Sequence, residues 1–501
     1  MKYMTEKYIL AIDQGTTGTT VALVNSSGEL FASSYREITQ FYPNPGWVEH
    51  DPHEILESVF FGMREVIKIS KVSLKNIVSI GITNQRETTL IWDRKSGIPI
   101  HKAIVWQCRR TTDICQELIG TPKAETITKA TGLSIDPYFS ATKIKWILNS
   151  VPGAYIKAKD GDLAFGTVDT WIIWNMTKGK NHVTDVTNAS RTMLFDLKTL
   201  GWSKQILDIF DIPFELLPEI RDSDAQFGLC EADILGEFKV PISGVLGDQH
   251  ASMFGQACFS VGSAKCTYGT GAFLLMNTGK DIKISDKGLL STLAWKVKGE
   301  VEYALEGSVF SAGATVQWLR DELELIESSA EVEILARSVQ DNGGIYLVPA
   351  FTGLGAPHWD MNARATMVGM TRGTNKGHIA RAALEAISYQ CQEVLKIMQQ
   401  DSDYEISELK VDGGATGNEL LMQMQADISN LRVNRSRVQE TTVLGAAFIA
   451  GIGAGFWKSK SDISSIRHTK RVYTPSMTDE ERTEKLSFWA KAVERSKEWI
   501  S

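Results

Sequence analysis

Apolar runs and polar breaks alternate along the whole chain, and their lengths predict both strands and helices. Residues 8–25, YILAIDQGTTGTTVALVN, set two apolar runs on either side of a turn rich in glycine and threonine. That pattern predicts a buried β-hairpin with an acid, Asp13, at its mouth. IVSIGITNQ (77–85) predicts a buried strand. PISGVLGDQHASMFGQA (241–257) predicts a strand, a Gly-Asp corner and a helix, and SELKVDGGATGNELLMQMQADI (407–428) repeats that plan. In GHIARAALEAISYQCQEVLKIMQQ (377–400), Ile379, Ala383, Leu384, Ile387 and Val394 fall at helical spacing. TDEERTEKLSFWAKAVERSKEWI opens with a capping box, Thr478 to Glu481, and predicts a terminal surface helix. Strands alternating with helices favour an α/β class.

The opening hairpin has a partner. AKCTYGTGAFLLMNTG (264–279) again places Gly-Thr pairs between two strand-like runs, about half a chain away. Two similar halves facing each other across a cleft are expected, with a boundary near residue 254 that separates 1–254 from 255–501. A chain of 501 residues is also too long for one hydrophobic core.

The net charge of -7 leaves no basic stripe for a nucleic-acid partner, but one cleft can still attract a small anion. The six cysteines (Cys108, Cys115, Cys230, Cys258, Cys266, Cys391) form no CxxC pair, which predicts reduced, mostly buried thiols. The N-terminal apolar run is interrupted by Asp13, unlike a signal peptide. No stretch reaches the ~18 apolar residues of a membrane helix. The expected location is the cytoplasm.

Glycine turns serve ordinary hairpins, yet their exposed N–H groups also form nests for anions. Two Gly-Thr turns together with the Asp-Gly-Gly corner at 412–414 favour phosphate binding. Asp13 beside such a nest makes sense with Mg²⁺ between them. GxxxxGK[ST], a strand-borne GxGxxG, HRD and DFG are all absent; GIGAGF (451–456) ends wrongly and follows a helix-like run. Asp248 is either a helix cap or a base for a hydroxyl attacking phosphorus. Arg86 and Glu87 are either a surface ion pair or a donor and an acceptor for a polyol. Trp106, Tyr138 and Phe273 are either core or ligand walls. His50 and His53 lack further metal ligands nearby.

The chain resembles the FGGY family of carbohydrate kinases through DQGTT (13–17), PGWVEHDP (45–52), GITNQRETT (81–89), AIVWQCRRT (103–111), DPYFSATKIKWIL (136–148) and GTVDTW (166–171). TNASRTMLF (187–195), GDQ (247–249), TYGTGAF (267–273), YALEGS (303–308), FTGLGAPHWD (351–360) and VDGGATGN (411–418) continue the match. The resemblance implies two ribonuclease-H-like domains of the actin and hexokinase type flanking a catalytic cleft. It implies ATP-dependent phosphorylation of glycerol to sn-glycerol 3-phosphate, the entry step of glycerol catabolism. By resemblance Asp248 is the base and a further magnesium contact, while Asp13 holds Mg²⁺ through water. Arg86, Glu87, Tyr138, Asp248 and Gln249 would bind glycerol's hydroxyls, with Trp106 and Phe273 on its carbon edge. Thr16, Thr17, Thr270, Gly271, Gly313, Gln317, Gly414 and Asn418 would contact the nucleotide. The first half would carry the glycerol site, the first hairpin and the base, and the second half the other hairpin and the adenosine site. A homodimer or homotetramer is also implied. Alternatives are a kinase for another short polyol or ketose, or an actin- or Hsp70-like ATPase.

Some positions depart from the pattern. Gly18, Thr19 and Thr20 follow DQGTT where many relatives carry Ser-Ser-Arg or Ser-Ala-Arg, so a cation near the phosphates is lost. His250 replaces a common glutamine. No histidine lies between His182 and His250, and GLCEADILGEFKV (228–240) lacks a glycine-rich, arginine-bearing loop. Control by a phosphorylated histidine or by fructose 1,6-bisphosphate is therefore unsupported.

Overall fold

A computed structural model describes residues 6–500. Its first large sheet contains β1 (Tyr8–Gln14), β2 (Gly18–Val24), β3 (Leu30–Glu37), β4 (Ile77–Asn84), β5 (Gly228–Cys230) and β6 (Val240–Gly247). The strand order is β5-β6-β4-β1-β2-β3. The second sheet contains β7 (Ala264–Tyr268), β8 (Ala272–Gly279), β9 (Leu290–Val297), β10 (Glu300–Val309), β11 (Glu408–Asp412), β12 (Arg432–Ser436) and β13 (Thr469–Tyr473). Its order is β9-β10-β8-β7-β11-β12-β13.

The repeat seen in the two hairpins extends through both sheets. β3-β2-β1-β4-β6 and β10-β8-β7-β11-β12 share one order and one set of senses: antiparallel, antiparallel, parallel, parallel. Parallel neighbours present their C-terminal ends on the same edge. Gln14 therefore lies level with Asn84, and Asn84 with Gly247. That edge carries the candidate chemistry.

The helices follow the expected signals. α1 (Pro52–Ser70) starts behind Asp51, whose Oδ1 accepts from His53 N at 2.9 Å. α2 (Asp248–Gly255) continues directly from β6, and α3 (Gly313–Asp321) follows β10. The long apolar-spaced segment is α4 (Lys376–Ser402), α5 (Glu419–Ser429) completes the second strand–corner–helix unit, and α6 is Thr441–Gly453. The C-terminal helix α7 (Asp479–Ser496) has the expected capping box. It is more than a surface helix: Trp489 is buried and stacks on Tyr389 of α4, ring centroids 5.1 Å apart.

α6 belongs to the second half in sequence but packs against β1, β4, β6 and α2. The approach requires glycine. A Cβ on Gly81 of β4 would lie 2.0 Å from Ala446 O, and one on Gly445 would lie 1.8 Å from Ala251 O. The halves thus share a closely packed helical seam. All six cysteines are buried as free thiols. Among the described residues, no helix is long and apolar enough to cross a membrane.

Candidate active site

The first hairpin closes through Gly15 N donating to Gly18 O at 2.9 Å, leaving Thr16 and Thr17 at its tip. A polar chain braces this tip from below. Gln85 Nε2 donates to Gln14 Oε1 (3.0 Å) and to His50 Nδ1 (3.2 Å), His50 Nε2 meets Gln40 Oε1 (2.9 Å), and Gln40 Nε2 donates to Thr16 O. Burial pushes His50 down to about 4, so it is neutral near pH 7. His50, which has no metal-ligand set, thereby acquires a structural place. Thr16 Oγ1 also accepts from Trp106 Nε1 at 2.9 Å, linking the turn to the aromatic wall.

Asp13 ends up in an acidic setting. Burial first, then Asp248 and Glu440, push its carboxyl well above the ordinary range. Among the described residues Asp13 has no ion-pair partner, and no group of three or more typical ligands is placed to hold a metal directly. A carboxylate surrounded by carboxylates, without a cationic side chain, fits a hydrated divalent cation shared with phosphates. At the departing positions, Thr19 Oγ1 bonds Ser58 Oγ at 2.6 Å, and a Cβ on Gly18 would meet Arg36 O and the Tyr35 ring at 2.6 Å.

Arg86 and Glu87 are 2% and 1% exposed, so the surface-pair alternative falls away. Glu87 takes a left-handed φ of 59°. Arg86 Nη1 and Nη2 donate to Glu306 Oε2 (2.6 Å) and Oε1 (2.9 Å), and Nη2 also approaches Tyr138 OH at 3.4 Å. Arg191 Nε donates to Glu87 Oε1 (2.7 Å) and its Nη2 to Glu306 Oε1 (3.0 Å). Burial alone would raise the Glu306 carboxyl, but Arg191 and Arg86 hold it well below the usual carboxylate range. For Glu87, burial outweighs the two arginines and the shift is upward.

Asp248 is the first residue of α2, and the capping position belongs to Gly247. Its Oδ1 accepts from Gln249 N at 2.6 Å and lies 3.0 Å from Arg86 Nε, without the alignment of a hydrogen bond. Among the described residues, Asp248 Oδ2 has no hydrogen-bond partner, nor does Arg86 Nε. Trp106 meets Tyr138 edge-on at 5.4 Å and Phe273 at 6.4 Å. The aromatic wall is therefore built from both halves. His250 turns away from Asp248: its Nε2 lies 3.3 Å from Thr292 Oγ1, and burial pushes the ring well below its ordinary pKa.

The second hairpin, with Thr270 and Gly271 at its tip, is met by the start of α3. Gly313 N donates to Gly269 O at 3.0 Å, and Ala312 N and Ala314 N both donate to Thr270 O at 3.0 Å. A Cβ on Gly313 would lie 2.6 Å from Gly269 O. Gln317, one turn along α3, is exposed. At the Asp-Gly-Gly corner Gly413 has φ 89° and packs on Tyr268 O, whereas Gly414 borders open space. Asn418 caps α5, its Oδ1 accepting from Leu421 N at 2.9 Å.

Among the buried charged residues that escape a reading of the sequence for chemistry, Glu306, Arg191 and Lys265 lie at this site. Their available signal was a lone charge inside an otherwise apolar or motif-bearing segment, YALEGS, TNASRT and AKCTY.

Comparison with known proteins gives the same frame. Residues 8–255 match the N-terminal domain, and residues 264–454 the C-terminal domain, of the FGGY family of carbohydrate kinases. A glycerol kinase of Oleidesulfovibrio alaskensis is 54% identical over 493 residues, covering 98% of this chain and 99% of that one. A glycerol kinase of Alkaliphilus metalliredigens is 52% identical, with 99% of both chains covered. The crystal structure of Plasmodium falciparum glycerol kinase with ADP superposes with a TM-score of 0.92 at 40% identity, over 98% of each chain. With paired sheets of one topology, a glycine-threonine hairpin in each and full-length relatives, this chain belongs to the FGGY family of carbohydrate kinases.

Proposed function

We propose that this protein transfers the γ-phosphoryl group of MgATP to a primary hydroxyl of glycerol, giving sn-glycerol 3-phosphate and ADP. One observation carries the choice of acceptor. Beside the Trp106–Tyr138–Phe273 wall, Gln249 Nε2 is a donor without a hydrogen-bond partner among the described residues, Arg86 Nε is ion-paired with Asp248 Oδ1 without an aligned hydrogen bond, and Glu87 Oε2 and Asp248 Oδ2 are acceptors without a partner. A short neutral polyol offers both kinds of partner along one edge and a hydrocarbon edge to the rings. Relatives named glycerol kinase support the same acceptor.

In this reading Asp248 Oδ1 is anchored by Gln249 N and oriented by Arg86, and Oδ2 receives the hydroxyl proton. The substrate oxygen forms a bond to the γ-phosphorus as the bond from phosphorus to the β–γ bridging oxygen breaks, leaving ADP. The turns at Thr16–Thr17 and Thr270–Gly271 cradle the phosphates with backbone N–H groups, and Gly313, Gln317, Gly414 and Asn418 line the nucleoside side. When bound, Mg²⁺ would neutralise charge on the phosphates, with Asp13 reaching it through water and Asp248 close by. The base, most of the acceptor site and the first hairpin belong to residues 1–254, while residues 255–501 add Phe273 and Glu306 to the acceptor side and carry the second hairpin and the adenosine site. Because the wall and the Arg86–Glu306 pair draw on both halves, closing them over glycerol excludes water, which would otherwise consume ATP. We further infer a cytoplasmic homodimer or homotetramer, supported by the family resemblance alone and testable by sedimentation.

The deciding experiment follows ADP release from MgATP with glycerol, dihydroxyacetone, xylulose, ribulose, gluconate or no acceptor. A high rate with glycerol and almost none without acceptor is expected. A faster rate with a pentulose would reassign the specificity, and equal rates with and without acceptor would make the protein an ATPase.

A further inference from the structure

Lys265 is a fully buried lysine on β7, directed away from the core side occupied by its neighbour Cys266. Its Nζ donates to Gln249 Oε1 at 2.5 Å and to Thr267 Oγ1 at 2.9 Å. Thr267 Oγ1 shares a hydrogen bond with Ser252 Oγ (3.0 Å), which donates to Asp412 Oδ2 at 2.8 Å. Burial lowers the Lys265 pKa, while Asp412 is the foremost group favouring its charged form. The network runs from the acceptor site in one half to the residue before the Gly413–Gly414 corner in the other.

An ammonium group has donors only, so the Gln249 amide must turn its oxygen toward Lys265. Its NH₂ group then faces away, with no partner among the described residues. We propose that Lys265 is a positioning residue that fixes the polarity of Gln249, so that the second half of the chain makes this side chain a pure hydrogen-bond donor to the acceptor polyol. The inference rests on the assignment of Gln249 to the acceptor site and adds the reason for its orientation. Without the ammonium, the amide is free to turn over and present its oxygen, and the hydroxyl it faces must then give that oxygen the proton it would otherwise donate to another acceptor.

The test is a double-mutant cycle on the full chain, reading KM for glycerol at saturating MgATP, KM for MgATP and thermal midpoint. Gln249→Ala and Lys265→Met should each raise the glycerol KM about tenfold, the scale of one lost hydrogen bond. The double variant should be no worse than Gln249→Ala, because Lys265 acts through Gln249. Should Lys265→Met fold poorly with Asp412 left uncompensated, Lys265→Met/Asp412→Asn removes both charges and should still show the raised glycerol KM. A glycerol KM unchanged in the lysine variants, or additive effects in the double variant, overturns the proposal. If Gln249→Ala alone leaves the glycerol KM unchanged, it is the acceptor-site assignment that fails, and this inference with it.

Discussion

The guanidinium of Arg86 and the carboxylate of Glu306 form a bidentate pair at 2.6 and 2.9 Å, although 220 residues separate them, Arg86 lying just beyond the end of β4 and Glu306 on β10 of the other sheet. Arg191 contacts the same carboxylate, so one buried acid from the second half holds two arginines of the first in place. The proposed acceptor site is thus complete only when the halves are together.

Glu306→Gln removes the carboxylate that accepts hydrogen bonds from both arginines. Breaking a buried ion network typically costs about 3–5 kcal/mol, since the remaining charges stay desolvated. The expected outcome is a lower thermal midpoint and a raised KM for glycerol, larger than any change in KM for MgATP. Steady-state kinetics on both substrates measures the split.

Asp248→Asn keeps the shape of the side chain and the contact from Gln249 N but cannot take a proton. Turnover should fall about 10²–10⁴-fold, the range for loss of a general base. Glycerol binding, followed by calorimetry, should persist. Near-full activity would leave Asp248 without a chemical role.

Gly313→Ala places a methyl 2.6 Å from Gly269 O, where α3 begins against the second hairpin. The helix start must shift by several tenths of an ångström, moving Thr270 and Gln317 together. KM for MgATP should rise about tenfold, equivalent to ~1.4 kcal/mol of lost binding. The glycerol KM should change far less.

Two histidines predict acid sensitivity. Burial pushes His50 and His182 from 6.5 to about 4, with Arg94 adding to the effect on His182. The unfolded chain therefore takes protons near pH 6.5 that the folded chain refuses until about pH 4. Their contribution to stability is complete above pH 6.5 and is lost as pH falls toward 4, by up to about 3 kcal/mol for each. Thermal midpoints measured across this window should drop, and the slope should be shallower in His50→Gln.

Local chemistry carried much of this protein in its sequence. The two hairpins, the strand–corner–helix units ending at Asp248 and Gly414, and α4 were legible because their turn residues and apolar periods lie within a few positions of one another. The family motifs likewise named Arg86, Glu87, Tyr138, Trp106 and Phe273; the parallel strands carry Arg86 and Glu87 to the sheet edge, and ring contacts bring Trp106, Tyr138 and Phe273 together. The sequence alone left open whether Arg86–Glu87 was a surface pair and whether Asp248 was a cap. Burial and the neighbours of each side chain resolve both points, and these depend on contacts distant in sequence. Lys265 behind Gln249, Glu306 between two arginines, and α6 seated under the opposite sheet arise from pairings 16, up to 220 and, for Ala446 on Gly81, 365 residues apart. No local period encodes such meetings, because a charge acquires its partner only after two apolar sheets have packed and excluded water around it.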